Sequence, residues 1–442
     1  MTDHSASGAP DDARGSEASA AGPLRPSRRG LLGLVGAGVA GLAAGAAAGG
    51  VAASVAYAGG GSGGSGTVPF FGAHQAGIAT AAQDRLHFAS FRMLSGTNRD
   101  DLIALLQDWT EAAAVLTRGR ALGTGVEPEN ALLPPDDTGE AEGLEAAHLT
   151  LTFGLGRALF DRRDDLEDPF GIRDRLPKAF APLPSFAFDL LDADQSDGDL
   201  CIQACADDPQ VAVHAIRNLS RIAAGRAHLV WSQLGFGRTS STSRVQATPR
   251  NLFGFKDGTA NVMAEETQAL DEHVWVGSEG PAWLQGGSYL VARKIQMTIE
   301  TWDRASLGEQ ERIIGRTKQE GGPLSGGTEF TAADFTAPDA VDTSAPAIDM
   351  AAHLRLAHPA QNAGVRLLRR GYNYVDGSNG LGQLGAGLFF ISFQRDPAAF
   401  VQVQRSLKTD LLNEYIRHIG SGLWAVPGGV QRGDYLAQAL FE

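Results

Sequence analysis

The residues best suited to chemistry fall in three short segments of the second half of the chain. The first runs Gly254-Phe255-Lys256-Asp257-Gly258-Thr259-Ala260-Asn261, with Phe253 just before it. Asp-Gly is a common turn pair. The aromatic flanks add a second reading, because a carboxylate held beside rings has a pKa open to tuning and can act as a general acid or base. The second segment runs Asp349-Met350-Ala351-Ala352-His353-Leu354-Arg355-Leu356-Ala357-His358-Pro359. A lone histidine is most often a hydrogen-bonded structural residue. His353 and His358 are spaced off a shared helix face, so they do not serve one metal together. The sequence has no His-Glu-x-x-His, which argues against a zinc hydrolase, and no Cys-x-x-Cys-His, which argues against covalent haem attachment. One histidine as the only protein ligand would suit haem, whose macrocycle brings four nitrogens of its own. The third segment is Val365-Arg366-Leu367-Leu368-Arg369-Arg370-Gly371-Tyr372-Asn373-Tyr374. Arginines in an apolar setting need anionic partners, either as a surface ion pair or as a clamp that stabilises negative charge. Residue types alone therefore offer one carboxylate, one histidine and one arginine that could share a pocket, with haem as a candidate occupant.

Three other matches to known motifs lack the context that chemistry needs. Gly36–Gly41 and Gly380–Gly385 both read G-x-G-x-x-G, but the first lies in an apolar leader and the second precedes a strand instead of following one. Gly60–Gly64 reads G-x-S-x-G inside a glycine-serine linker, with no strand before it to form a nucleophile elbow. Cys201 and Cys205 are the only cysteines. On one strand their Cα atoms would lie roughly 13 Å apart, too far to bridge, so they read as two small buried thiols.

The elements that must position these residues can be traced along the chain. Apolar residues make up 43% and charged residues 20%, an ordinary globular balance, and the net charge of −14 argues against nucleic acid or an anionic membrane as main partner. Residues 1–58 combine a Ser/Ala/Gly/Pro-rich start, Ser27-Arg28-Arg29-Gly30-Leu31-Leu32, an apolar run and Ala56-Tyr57-Ala58. That pattern reads as a cleaved twin-arginine export signal; the competing reading is a membrane anchor, weakened because the run is mostly Gly and Ala. Residues 59–67 read as a flexible linker. Folded sequence begins near Val68, with a helix predicted over 98–117 that Asn98 or Asp100 could cap. A long surface loop follows over 119–145, then strands at 149–155 and 199–204, and a helix from Pro209 through Leu219. The second half repeats this grammar: a strand over 288–298, a helix from Thr301 through Ile313, a polar loop over 320–345, a strand over 388–393 and a helix from Asp396-Pro397 through Leu407. Strand, Asp, Pro, helix occurs in both halves, which predicts an α+β chain of two related domains, 68–250 and 251–442.

Read in order, these segments resemble the dye-decolourising peroxidases, specifically their exported, twin-arginine-dependent A-type subgroup, which includes deferrochelatase/peroxidase-like proteins. The likeness extends from Val68-Pro69-Phe70-Phe71-Gly72 through Gly198-Asp199-Leu200-Cys201 and the three segments above to Asn413-Glu414-Tyr415-Ile416-Arg417-His418. The resemblance implies two ferredoxin-like halves, each an antiparallel sheet flanked by helices, with one haem b in the C-terminal half. By motif position, His353 is expected as the iron ligand, Asp257 as the distal acid–base residue and Arg369 as the distal arginine. Leu388 and Phe390 would roof the distal pocket, and Gly258, Thr259, Arg293, His358 and Pro359 would contact the haem. Asp396 is the candidate carboxylate partner of His353. Trp275, Trp283, Trp302, Tyr372, Tyr374 and Trp424 are candidates for electron transfer to bulky donors at the surface, against a plain reading as core. The implied activity is reduction of hydrogen peroxide and one-electron oxidation of dyes, phenols or other donors through a ferryl–radical state. An acidic optimum follows, bounded below by protonation of Asp257. Competing readings are release of iron from haem and a non-enzymatic haem carrier. The implied partners are peroxide, a reducing co-substrate, the twin-arginine export machinery and a second copy of the chain, with no nucleic acid.

Overall fold

The computed structural model describes residues 66–128, 130–161, 166–378 and 380–442. The segment read as an export signal and most of that read as a linker lie outside the described residues. In the first half of the chain the elements are β1 (Arg85–Met93), α1 (Arg99–Leu116), β2 (Thr150–Gly156), β3 (Leu200–Ala206), α2 (Pro209–Ala223) and β4 (Ala227–Arg238). In the second half they are α3 (Thr267–His273), β5 (Ser288–Met297), α4 (Ile299–Trp302), α5 (Leu307–Ile314), α6 (His353–Ala357), β6 (Leu368–Arg369), β7 (Tyr372–Ser378), β8 (Leu384–Gln394), α7 (Pro397–Ser406) and β9 (Ile416–Val426). The chain is α+β, as the sequence predicts.

The strands form one sheet in the order β5-β9-β2-β3-β1-β4-β7-β8-β6, and a further pairing of β5 with β8 closes it into a ring. Every ladder in it is antiparallel. The first half contributes β4-β1-β3-β2 and the second β9-β5-β8-β7, so each half places its long strands in the order fourth, first, third, second. Two short ladders, β4 with β7 and β2 with β9, join the halves.

Closure buries both faces of most strands. Along β1, Leu86 and Phe88 join a cluster with Phe389, Tyr372, Trp424 and both cysteines, while Ala89, Phe91 and Met93 join a second cluster beneath α1 and α2. The thiols are free and buried, and burial pushes the Cys201 thiol up. The caps explain where the helices start. Asn98 accepts from the amides of Asp100 and Asp101 while Asp101 reaches back, a capping box on α1. Asp208 and Asp396 cap α2 and α7, each with proline at the first turn.

Two expectations need correction. The helix predicted over 301–313 is two helices, because Ser306 caps α5 afresh. The Gln310 amide then bonds the carbonyls of Trp302 and Ala305 at 2.9 and 3.3 Å, so the break leaves those groups satisfied. The six aromatic residues considered for surface electron transfer are all core residues, none more than 8% exposed. Among the described residues the two long loops lack helix and strand. The first is tied down by Asp137, which accepts from the amides of Leu122 and Gly139 and from His214.

Candidate active site

The turn that carries Asp257 rests on a small aromatic core. Phe253 stacks on Trp302 at 4.3 Å, and Phe255 and Tyr415 meet the same indole edge-on at 5.9 and 5.1 Å. Gly258 has φ +86°, and a Cβ there would sit 2.9 Å from the Ser240 Cα, so both conformation and space require glycine. Lys256 pairs with the buried Glu329, whose other oxygen accepts from Thr259 at 3.3 Å. The loop beyond α5 is thereby fastened across the turn. Arg250 adds to this by donating to the carbonyls of Gly254, Lys318 and Gln319.

The three arginines of the third segment have separate partners. Arg366 faces Glu266 at 3.2 Å. Arg370 is fully buried and reaches Thr80, Gln83 and Thr242 in the first half of the chain. Arg369 donates from Nη1 to Asp257 Oδ1 at 2.7 Å, and Asn251 donates to the other carboxylate oxygen at 3.3 Å.

His353 opens α6, and its Nδ1 lies 2.6 Å from Asp410 Oδ2. Asp410 is itself fixed by accepting the Leu412 amide at 2.8 Å. Burial pulls the His353 imidazole down, but the Asp410 carboxylate and its hydrogen bond outweigh this and the net shift is upward. A carboxylate partner places the ring proton on Nδ1 and leaves Nε2 bare, the arrangement of a metal-binding histidine. Asp396, the sequence candidate for this role, instead accepts the Ala398 amide at 2.8 Å as the cap of α7. Sequence reasoning missed Asp410. Its only local mark is that it opens the apolar pair Leu411-Leu412 after a polar stretch.

All ten site residues named from the sequence line one cavity of about 250 Å³: Asp257, Gly258, Thr259, Arg293, His353, His358, Pro359, Arg369, Leu388 and Phe390. Asp410 lines it too. Leu388 and Phe390 alternate with Phe389, so β8 gives the cavity one face and the core the other. Arg293, 1% exposed, is paired with Asp189, donates to Ser421 Oγ at 3.0 Å and lies over Phe186. His358 accepts the Ala360 amide at 3.1 Å and meets Phe335 edge-on, and burial, with help from Arg316, lowers its pKa. Both therefore act first as wall residues already committed to protein partners.

A single supported imidazole with a bare nitrogen, apolar strand residues and several cations around one cavity fit haem better than a bare ion. Among the described residues no group of three or more His, Cys, Asp or Glu is placed to hold a metal. A second, larger cavity of about 410 Å³ lies under the 119–145 loop. Its buried pair, His214 and Asp137, is spent on holding that loop.

A model of the C-terminal domain of Dyp-type peroxidases matches residues 248–431, and a model of their N-terminal domain matches residues 75–237. A Deferrochelatase of Escherichia coli is 37% identical over 382 residues, which is 85% of this chain and 87% of the relative. DtpA from Streptomyces lividans, solved as an oxyferrous/water mixed complex, superposes with a TM-score of 0.77 at 38% identity, covering 86% of this chain and 99% of that one. A DyP-type peroxidase from Cellulomonas bogoriensis superposes with a TM-score of 0.75 at 37% identity, covering 86% of this chain and all of that one (100%).

Proposed function

The chain belongs to the Dyp-type peroxidase family, whose members are haem enzymes, and from that premise we propose that Asp257, Arg369 and His353 are the working residues of a peroxidase with one haem b. The observation that carries this reading is the 2.7 Å contact between Asp257 and Arg369 in the cavity that His353 also lines. His353 would hold the iron through Nε2, with Asp410 keeping the proton on Nδ1 and adding electron density to the ring. Gly258, Thr259, Arg293, His358, Pro359, Leu388 and Phe390 would form the walls around the macrocycle. When bound, haem supplies the iron that reacts with hydrogen peroxide and draws electrons singly from a reducing co-substrate such as a dye or phenol.

The chain's own residues then manage protons and charge. Ionised Asp257 accepts the proton from one oxygen of hydrogen peroxide and returns it to the other, so that water can leave. Arg369 cannot lose its own proton and stabilises the negative charge that builds on the departing oxygen. Asn251 and Arg369 together fix both carboxylate oxygens, which sets the direction in which Asp257 receives the proton. A carboxylate base fails once protonated, so activity should be lost on the acid side.

The test is single-turnover mixing of the haem-loaded protein with one equivalent of hydrogen peroxide, followed in the Soret band. Asp257→Ala should slow the change by about 10²-fold or more, the usual scale for a positioned acid–base group. An unchanged rate in that variant would overturn the assignment. A second reading, release of iron from haem, is supported by the name Deferrochelatase that the curated relatives carry. Product analysis separates the two, since iron release leaves free iron with intact porphyrin and the peroxidase leaves oxidised donor with retained haem. A pure haem carrier would be indifferent to Asp257→Ala and to Arg369→Leu.

The strand order in each half supports reading residues 68–250 and 251–442 as two ferredoxin-like domains, and the cavity that His353 lines, built from residues of the second, supports haem there. The twin-arginine pattern of residues 1–58, followed by the 59–67 linker, supports export of the folded protein.

A further inference from the structure

The pairing of Arg369 with β8 leaves a question of backbone geometry. Arg369 stands opposite Ser392, and the next residue, Arg370, donates its amide to the Ile391 carbonyl at 2.8 Å. In an antiparallel ladder the hydrogen-bonded pairs alternate, so the amide and carbonyl of Arg369 point away from β8. Among the described residues no further strand lies on that side. The side chain of Asn261 takes its place. Asn261 Oδ1 accepts from the Arg369 amide at 2.7 Å, and Asn261 Nδ2 donates to the Arg369 carbonyl at 2.8 Å. Its second Nδ2 hydrogen goes to the Ser241 carbonyl at 2.8 Å. Asn261 is 3% exposed, and its own amide closes the Asp257 turn by donating to the Gly258 carbonyl at 3.1 Å.

We propose that Asn261 is a positioning residue, its amide acting as a one-residue strand partner that fixes the Arg369 backbone to the turn carrying Asp257. The inference deepens the reading of Asp257 and Arg369 as the working pair and rests on it. The physical need is clear. A salt bridge between a long arginine and an aspartate forms over a range of backbone separations, and so does not set one. Two short hydrogen bonds from a buried amide to both polar groups of a single residue do. Asparagine alone among the side chains of this length offers an acceptor and two donors in one plane. Aspartate would present an oxygen to two carbonyls, and leucine would leave three polar groups, the Arg369 amide and the Arg369 and Ser241 carbonyls, unsatisfied.

The test uses the haem-loaded protein, with Asn261→Ala and the near-isosteric Asn261→Leu in case the alanine variant fails to fold. Amide hydrogen exchange should show the Arg369 N–H protected in the unaltered protein. In either variant it should exchange about tenfold faster or more, with Arg370, bonded to β8, unchanged. Single-turnover reaction with hydrogen peroxide should slow by about 10- to 100-fold per bound haem, with haem content and KM for the electron donor unchanged. An unprotected Arg369 amide in the unaltered protein overturns the proposal outright. Faster exchange with an undiminished peroxide rate also overturns it, because the contact would then be structural only. If instead Asp257→Ala leaves the peroxide rate intact, the working-pair reading falls, while the exchange data still decide whether Asn261 holds Arg369.

Discussion

Asp410 shows what one side chain can do at a distance from the reacting atoms. Its carboxylate is 2% exposed and meets His353 Nδ1 at 2.6 Å. Asp410→Asn keeps the shape but removes the charge that holds the ring proton and orients the imidazole. Partners of this kind usually account for about 10- to 100-fold in metal affinity or activity. The variant should therefore give up haem to an acceptor protein about 10-fold faster or more, and identical transfer rates would contradict the role given to Asp410. The sequence made Asp257, His353 and Arg369 legible because each lies in a short segment whose types are unusual together: Asp just after two phenylalanines, His before Leu-Arg, an arginine pair before Gly-Tyr. Asp410 has no such company. It meets His353 across 57 residues of chain, and a carboxylate that starts a short turn resembles many others. Asp396 drew attention because Asp-Pro after a strand is conspicuous, and the same feature marks it as a helix cap.

Secondary elements divide by how local their signals are. The helices α1, α2 and α7 begin where Asn98, Asp208 and Asp396 say they should, because a cap is a contact within three residues. The strands β1, β4, β7 and β9 left weaker traces. Alternation of polar and apolar residues marks a strand with one wet face, and in a closed sheet most strands have none. Six of the nine residues of β1 are buried, and all seven of β2 and β3. Thr150 and Thr152 keep the alternation visible in β2, but they face buried glutamines instead of water. The cap reading makes a separable prediction. Asp396→Ala should cost about 1 kcal/mol of stability, seen as a lower urea midpoint, as for other capping aspartates. Haem retention should be unaffected, since His353 is held by Asp410. Loss of haem from this variant, or no change in midpoint, would show that Asp396 does something other than cap α7.

Closing the sheet also sets how the whole molecule tolerates acid. A ring of strands buried on both faces leaves some polar side chains without water, and His418 on β9 is one of them. It is 5% exposed, and burial, with help from the neighbouring Arg293, lowers its pKa to about 3. Asp189 faces it at 3.8 Å, too far for a hydrogen bond that would favour the charged ring. His87 on β1 is pushed down to about 4 by burial alone. Both rings therefore stay neutral in the folded chain at pH values where they are protonated once it unfolds. Because their folded pKa values are depressed, the stability they secure is complete above the ordinary histidine value near 6.5 and is lost as the pH falls towards 4 and 3. Within that window each ring contributes up to about 1.4 kcal/mol of loss per pH unit, since the unfolded chain holds one more proton at each. The window overlaps the acidic range in which a peroxidase of this kind is proposed to work, so the fold should limit activity from the acid side. Urea unfolding of the holoenzyme at pH 6.5, 5.5 and 4.5 tests this. The unaltered protein should lose stability over the series, and His418→Asn, which cannot titrate, should lose it more slowly. Equal slopes would mean that the buried imidazole is not what couples this closed sheet to pH.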